Sequence, residues 1–99
     1  MLSKEDYTLA QEALDALAGR QPGAAAACNA AAQKLGRDEL LDERDKGLLV
    51  IALVGHAVHA GTESLPAVER IAGEFGMRDE LMAQLEDWIA YAEGREAKP

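Results

Sequence analysis

The feature that most restricts the fold of this chain is an apolar run at residues 48–54, LLVIALV, within a segment bounded by Asp42 and Gly61. At 100° per residue, its large aliphatic side chains cover almost the whole circumference of a helix. Such a helix is buried among other elements, because no side of it suits water. The run is far too short to span a bilayer. It therefore predicts a central helix, from Asp42 to Gly61, in the middle of a helical bundle.

Four further helices are predicted from capping residues, glycines and apolar residues at helical spacing. Ser3 and Asp6 have the spacing of a capping box at the start of the first helix, and Ser64 is a candidate cap for the fourth. Glycines mark the predicted helix ends. The predicted ranges are residues 3–19, 22–35, 65–75 and 79–92. The glycines at the C-terminal ends of these ranges are Gly19, Gly36, Gly76 and Gly94.

Composition agrees with helices rather than strands. Only 4% of the residues are aromatic although 48% are hydrophobic, so much of the apolar content is alanine. Residues that favour strands are scarce outside the apolar run. We therefore predict an all-α fold, a single-domain bundle of about five short helices over residues 1–99, with residues 94–99 as a frayed tail.

The tetrapeptide RDEL occurs twice, at residues 37–40 and 78–81. A duplicated helical hairpin would produce such a pair, since helical repeats have periods near this length. The flanking residues match poorly, however. We interpret the two copies as two helix starts with similar chemistry.

The chain is acidic, with 18 Asp and Glu against 10 Lys and Arg, and a formal net charge of -8. This balance disfavours binding to nucleic acid or to an anionic membrane surface. It suits a basic protein partner or imitation of a nucleic acid, and the alternative is solubility alone.

The segment RDELLDERDK is the densest acidic stretch and the candidate partner-binding patch. Its acidic residues are Asp38, Glu39, Asp42, Glu43 and Asp45. The alternative is an acid-rich helix N-terminus partly compensated by Arg44 and Lys46. A second candidate surface is the outer face of the last helix, with Glu80, Glu86 and Asp87.

Both histidines of the chain lie in GHAVHAG, near the end of the central helix. His56 and His59 are three residues apart and share a helix face, so both imidazoles can reach one metal ion, with Glu63 as the nearest third ligand. The acidic segment is a further candidate for a hard cation. The alternative is a pair of histidines stabilised by the C-terminal end of the helix dipole.

Gly55 lies on the weakly apolar side of the central helix, beside His59. A glycine inside a strong helix is tolerated more readily where another backbone approaches. We predict that the alanine-rich second helix packs there, with a homodimer contact as the alternative, and that leucine at this position destabilises the fold by overpacking.

Catalysis finds little support in the sequence. Ser3 and Ser64 are explained as helix caps, and Cys28 lies among alanines, where it is predicted to be a small buried residue. No glycine-rich phosphate loop, cysteine pair or nucleotide-binding motif is present. We therefore expect a non-enzymatic domain without a cofactor. The single cysteine and the lack of a signal-peptide pattern favour the cytoplasm.

Residues 48–88 contain an apolar helix ending in HAG at Gly61, an acidic stretch, and IAGEFGM beginning at Ile71. This arrangement resembles the helical core of the TerB-like tellurite-resistance family, in which ADG stands in place of HAG. The resemblance implies a helical fold and a metal-binding stress-response function. The acidic metal-binding residues of that family are largely absent here, since Pro66 and Ala67 occupy positions that are usually acidic.

Two hypotheses follow. The first is a cytoplasmic, non-enzymatic protein-interaction domain of the inhibitor, immunity or adaptor type, whose acidic surface docks a basic partner. The second is a TerB-like metal-binding domain that uses the histidine pair or the acidic segment.

Overall fold

The computed structural model describes residues 2–92, apart from the side chains of residues 62, 89, 91 and 92. In this range the chain forms five α-helices and no strand, which confirms the predicted all-α fold. The helices are α1 (Lys4–Arg20), α2 (Ala25–Gly36), α3 (Glu43–Ala60), α4 (Leu65–Glu74) and α5 (Arg78–Ala92), with short 3-10 turns at Pro22–Ala24 and Thr62–Ser64. None of these helices combines the length and apolarity needed to cross a bilayer. The predicted frayed tail lies outside the described residues.

The helices α1 and α3 both begin with a capping box. The Ser3 hydroxyl accepts a hydrogen bond from the Asp6 backbone N–H, and the Asp6 carboxylate accepts one from the Ser3 N–H, at 3.1 and 3.2 Å. Asp42 and Asp45 form the equivalent pair at 2.8 and 3.1 Å. The capping box predicted at Ser3 is confirmed, and each box satisfies helix N–H groups that would otherwise lack a partner.

The start of α4 differs from the prediction. Ser64 occupies the N-cap position, but its hydroxyl donates a hydrogen bond to the Gly61 carbonyl oxygen at 2.8 Å and accepts none from α4. The predicted side-chain cap is therefore wrong. Pro66, in the first turn of α4, has no backbone N–H. The helix start therefore has one N–H group fewer that needs a hydrogen-bond acceptor.

Two helices end in the same hydrogen-bonded turn, with one residue in the left-handed conformation. At the end of α4 this residue is Gly76 (φ 73°), and the Met77 N–H donates to the carbonyl oxygen of Ala72 at 2.8 Å. At the end of α2 it is Asp38 (φ 59°), and the Glu39 N–H donates to the carbonyl oxygen of Lys34 at 2.9 Å. Both ends are Schellman motifs.

This geometry bears on two predictions. The predicted end of α2 at Gly36 is confirmed, but the left-handed residue of the turn that follows is Asp38 and not a glycine. The first RDEL copy, residues 37–40, therefore ends a helix and enters a loop, whereas the second copy, residues 78–81, begins α5. The interpretation of both copies as helix starts is wrong for the first.

The core is built around α3, which contacts each of the other four helices, as predicted for the central helix. The largest fully buried side chains are Leu14, Leu17, Leu49, Leu53, Ile71 and Leu81. Cys28 is buried among them, as predicted. The expected burial all round α3 is wrong on one side, however. Ile51 and Val58, which share a helix face, are 44% and 46% exposed.

The neighbour of Gly55 also differs from the prediction. A Cβ atom added at Gly55 would meet the guanidinium group of Arg20, from the last turn of α1. The three atoms nearest to that position all belong to Arg20, and none belongs to α2. The predicted close approach of α2 is therefore wrong, and a flexible side chain of α1 covers this side of α3.

Candidate functional site

The predicted acidic patch lies on the loop of residues 37–42 and on the first turn of α3. The loop is anchored in the middle by Leu41, whose side chain packs into the core. Four of the five predicted residues are exposed, namely Asp38, Glu39, Asp42 and Glu43. We call these four carboxylates and the loop that carries them the acidic loop.

The fifth predicted residue, Asp45, is not accessible. It is 6% exposed, and Lys34 of α2 donates a hydrogen bond to its carboxylate at 2.6 Å. Burial alone would raise the pKa of Asp45, but the hydrogen bond from Lys34 and the bond from the Asp42 N–H lower it below its usual value. Asp45 therefore holds α2 against the start of α3 and does not contribute to the accessible patch.

Basic residues near the acidic loop pair with it at long distances. Arg37 lies 3.8 Å from Glu39, and Lys46 lies 3.7 Å from Glu43. Lys34 reaches Asp42 at 3.9 Å while it is bonded to Asp45. Exposed pairs of this kind contribute little free energy. A partner can displace them at low cost, so the four carboxylates remain available for binding.

Leu40 is the most exposed large hydrophobic residue in the described part of the chain. Its side chain is 94% exposed, compared with 44–47% for the next most exposed group. Its neighbour Leu41 points the other way, into the core, so the loop displays one leucine and anchors itself with the next. The result is an apolar side chain between exposed carboxylates on both sides.

A groove runs beside the acidic loop, between α1 and the end of α4. It consists of two cavities, of about 350 and 640 Å³, that share Tyr7, Asp38 and Glu74 as lining residues. Leu40 lines the smaller cavity. The acidic loop and the groove therefore form one continuous surface feature.

Tyr7 lies in the middle of this groove and is half-buried. Its hydroxyl group is 3.5 Å from a carboxylate oxygen of Asp38, which is the long limit for a hydrogen bond. Burial raises the pKa of Tyr7, and the negative charges of Asp38 and Glu74 raise it further. Two carboxylates from different elements thus act on one phenol ring.

The residues proposed as metal ligands are placed near the other end of α3. His56 is half-buried in a cleft of about 350 Å³ against α1, whereas His59 and Glu63 are exposed. No three His, Cys, Asp or Glu side chains in the described part of the chain lie close enough together to hold a metal ion. The predicted set of His56, His59 and Glu63 is not assembled there.

The second acidic surface is present on α5. Glu80, Glu86 and Asp87 are all exposed. Trp88 on the same helix is 47% exposed.

Three residues of the groove were not singled out from the sequence. Tyr7 repeats at helical spacing with Ala10 and Leu14, which is typical of a core position, and Glu74 has no distinguishing neighbour in the sequence. Leu40 carried the one usable signal, because it is an apolar residue inside an acidic stretch. The groove itself depends on how α1, α4 and the loop pack together.

Comparison with known proteins adds no relative: no protein-family model, curated protein or solved structure matches this chain. The resemblance to the TerB-like family stays a prediction.

Proposed function

We propose that this chain is a non-enzymatic protein-interaction domain, and that the acidic loop binds a basic surface of a partner protein. An inhibitor, immunity or adaptor protein that covers a basic site is the class of function that this surface suits. The observation that carries the proposal is Leu40, 94% exposed between the exposed carboxylates of Asp38, Glu39, Asp42 and Glu43. The lone buried cysteine suits a reducing compartment, so the proposal extends to the cytoplasm.

The apolar and charged parts of this surface have different roles in binding. Burying a leucine side chain contributes about 1.5–3 kcal/mol, whereas one exposed ion pair contributes about 0.2–1 kcal/mol. Leu40 is therefore the expected source of affinity, as in other interfaces where an apolar anchor is surrounded by polar residues. The carboxylates, together with the net charge of -8, accelerate the encounter with a basic partner and determine its orientation.

The experiment begins with partner capture on the immobilised protein from the source cell at low and high salt, and ends with direct titration of the purified partner. Leu40→Ser removes the apolar anchor without disturbing the core. We expect it to weaken binding about tenfold at any salt concentration. Glu39→Lys with Glu43→Lys should weaken binding mainly at low salt, because it removes electrostatic attraction.

The matched control is Glu12→Lys with Asp15→Lys, which makes the same change in net charge on an exposed face of α1. This control should alter affinity less than twofold. Equal binding by the wild type, by Leu40→Ser and by the charge-reversed loop would contradict the proposal. Failure to retain any partner at low salt would also contradict it.

A further inference from the structure

We infer that the groove beside the acidic loop receives an arginine side chain of the partner, held against the ring of Tyr7 and between the carboxylates of Asp38 and Glu74. This inference rests on the proposed function and specifies the chemistry of the partner. The three residues come from α1, from the loop and from the end of α4, and all three line both cavities of the groove.

The shape of the site comes from parts of the chain that cannot move independently. Tyr7 is one turn into α1, next to the buried Asp6 capping box. Asp38 is positioned by the Schellman turn at the end of α2, and Glu74 is the last residue of α4. A pocket on helix ends and a hydrogen-bonded turn is largely formed before binding, which lowers the entropy cost of filling it.

The chemistry of the site favours a guanidinium group. Arginine is planar, stacks on aromatic rings, and presents five N–H donors that can serve two carboxylates at once. The contact between the Tyr7 hydroxyl and Asp38 is long, at 3.5 Å, so a guanidinium group that replaces this contact at Asp38 displaces a weak hydrogen bond. A lysine ammonium group gains less here, because it lacks the planar face and the paired donors.

The ends of the groove restrict the occupant further. Lys46 and Glu39 line only the smaller cavity and Lys4 only the larger one, so a lysine lies towards each end, whereas Asp38 and Glu74 are shared by both cavities. A run of basic residues along the groove would meet these lysines. The groove therefore suits a single arginine with uncharged neighbours, and Leu40 at its edge suits an apolar neighbour.

The test titrates the ¹⁵N-labelled chain of residues 1–99 with an acetylated, amidated peptide, Gly-Ala-Arg-Ala-Gly, and measures amide shifts by nuclear magnetic resonance. We expect saturable shifts of the Tyr7, Asp38 and Glu74 amides at millimolar peptide. The same peptide with citrulline, which has the shape of arginine without its charge, should give no saturable shifts. The lysine peptide should bind at least threefold more weakly.

Three variants locate the binding site. Asp38→Asn removes the charge while keeping a residue that tolerates positive φ, Glu74→Gln removes the second charge, and Tyr7→Leu removes the ring. Each should weaken the arginine peptide at least threefold, with an otherwise unchanged spectrum. Glu12→Gln, an exposed carboxylate of α1 outside this groove, should change affinity less than twofold.

The outcomes separate this inference from the proposed function. Shifts that occur at Glu39 and Glu43 but not at Tyr7 and Glu74 overturn the arginine site and leave the acidic loop as the binding surface. Equal shifts with the citrulline peptide, or unchanged affinity in Asp38→Asn, also overturn the arginine site. Partner binding that is insensitive to Leu40→Ser and to charge reversal of the loop overturns the proposed function, whatever the peptide does.

Discussion

Asp38 shows how one residue can be unfavourable for the fold and useful for the surface. It occupies the left-handed position after α2, where α4 has Gly76. A residue other than glycine in this conformation costs about 1 kcal/mol, although aspartate and asparagine pay less than most. Glycine would make the same turn without that cost, but it would supply no carboxylate to the groove.

Asp38→Gly should therefore stabilise the fold while it weakens binding. We expect the free energy of unfolding to rise by about 0.5–1 kcal/mol in urea denaturation, because the strain at positive φ is relieved. Binding of the arginine peptide should fall at least threefold in the same variant. Asp38→Asn is the control, with wild-type stability and the same loss of binding. A loss of stability in Asp38→Gly would show that the aspartate supports the turn.

The sequence could not identify Asp38 as the turn residue, because a nearby glycine offered a simpler stop. Gly36 has a different function, which is to allow close packing. The Gln11 side chain of α1 donates a hydrogen bond to the Ala32 carbonyl oxygen at 3.1 Å, and a Cβ atom at Gly36 would lie 2.8 Å from that same nitrogen. Glycine there accommodates α1, and this requirement is visible only once the two helices are in contact.

At the scale of the element, α3 contains two glycines with different surroundings. A Cβ atom at Gly47 would have no neighbour within 4 Å, whereas one at Gly55 would meet the side chain of Arg20. Both residues have ordinary helical conformations, so neither needs the freedom of glycine. Replacing either glycine with alanine should therefore raise the free energy of unfolding, by the full difference in helix propensity at Gly47 and by part of it at Gly55.

We expect Gly47→Ala to raise the free energy of unfolding by about 0.5–1 kcal/mol, which is the difference in helix propensity. Gly55→Ala should give a smaller gain or no change, since the exposed end of Arg20 must move aside. Urea denaturation of both variants measures the difference. A loss of more than about 1 kcal/mol in Gly55→Ala would mean that a rigid neighbour, and not the flexible arginine, covers this side of α3.

The local hydrogen bonds at the start of α1 were predictable, whereas the ion pairs between helices were not. The spacing of Ser3 and Asp6 identified the first capping box directly. Nothing in the sequence indicated that Arg70 bonds to Asp6, or that Lys34 bonds to Asp45. With 18 acidic residues to choose from, a basic side chain has no preferred partner until the helices pack.

At the scale of the whole molecule, one ion pair joins the first helix to the fourth. Arg70 donates two hydrogen bonds to the Asp6 carboxylate, at 2.9 and 2.8 Å, and the Asp6 side chain is buried. These bonds from Arg70, opposed by burial and supported by Ser3, lower the pKa of Asp6 from 3.8 to about 2. Asp6 therefore stabilises the folded chain most when it is ionised.

Stability should consequently fall in acid. Because the folded pKa is about 2 and the ordinary value is 3.8, the contribution of Asp6 is fully present above about pH 4 and is lost as the pH falls towards 2. The lowered pKa of Asp45 acts in the same direction. Urea denaturation across this range should show a decreasing midpoint in the wild type.

Asp6→Asn tests the origin of that decrease. It should lower the free energy of unfolding by about 1–2 kcal/mol at pH 7, through the weakened cap and the lost charged hydrogen bonds, and it should flatten the dependence on pH. Glu5→Gln, an exposed neighbour on α1, is the control and should keep the wild-type dependence. An unchanged acid profile in Asp6→Asn would mean that other groups cause the loss of stability.

The groove could not be predicted at this scale, since Tyr7, Asp38 and Glu74 are far apart in the sequence and carry no shared pattern. The central helix could be predicted, because packing against all four other helices leaves a trace in the residues themselves, a continuous apolar run. Packing that brings distant surface residues together leaves no such trace. The fold class was therefore readable from the sequence, whereas the site required the three-dimensional arrangement.

The pair formed by Asp6 and Arg70 also bears on how the chain is made. The two residues are 64 positions apart, so a growing polypeptide presents the acid to its surroundings long before the base has been synthesised. Until α4 arrives, the Asp6 carboxylate lacks the counter-ion that Arg70 supplies in the folded chain, and burying a carboxylate without a counter-ion is costly. A ribosome-bound fragment that ends before α4 should therefore remain loose and open to proteases, and the last third of the chain must be released before the first third can settle.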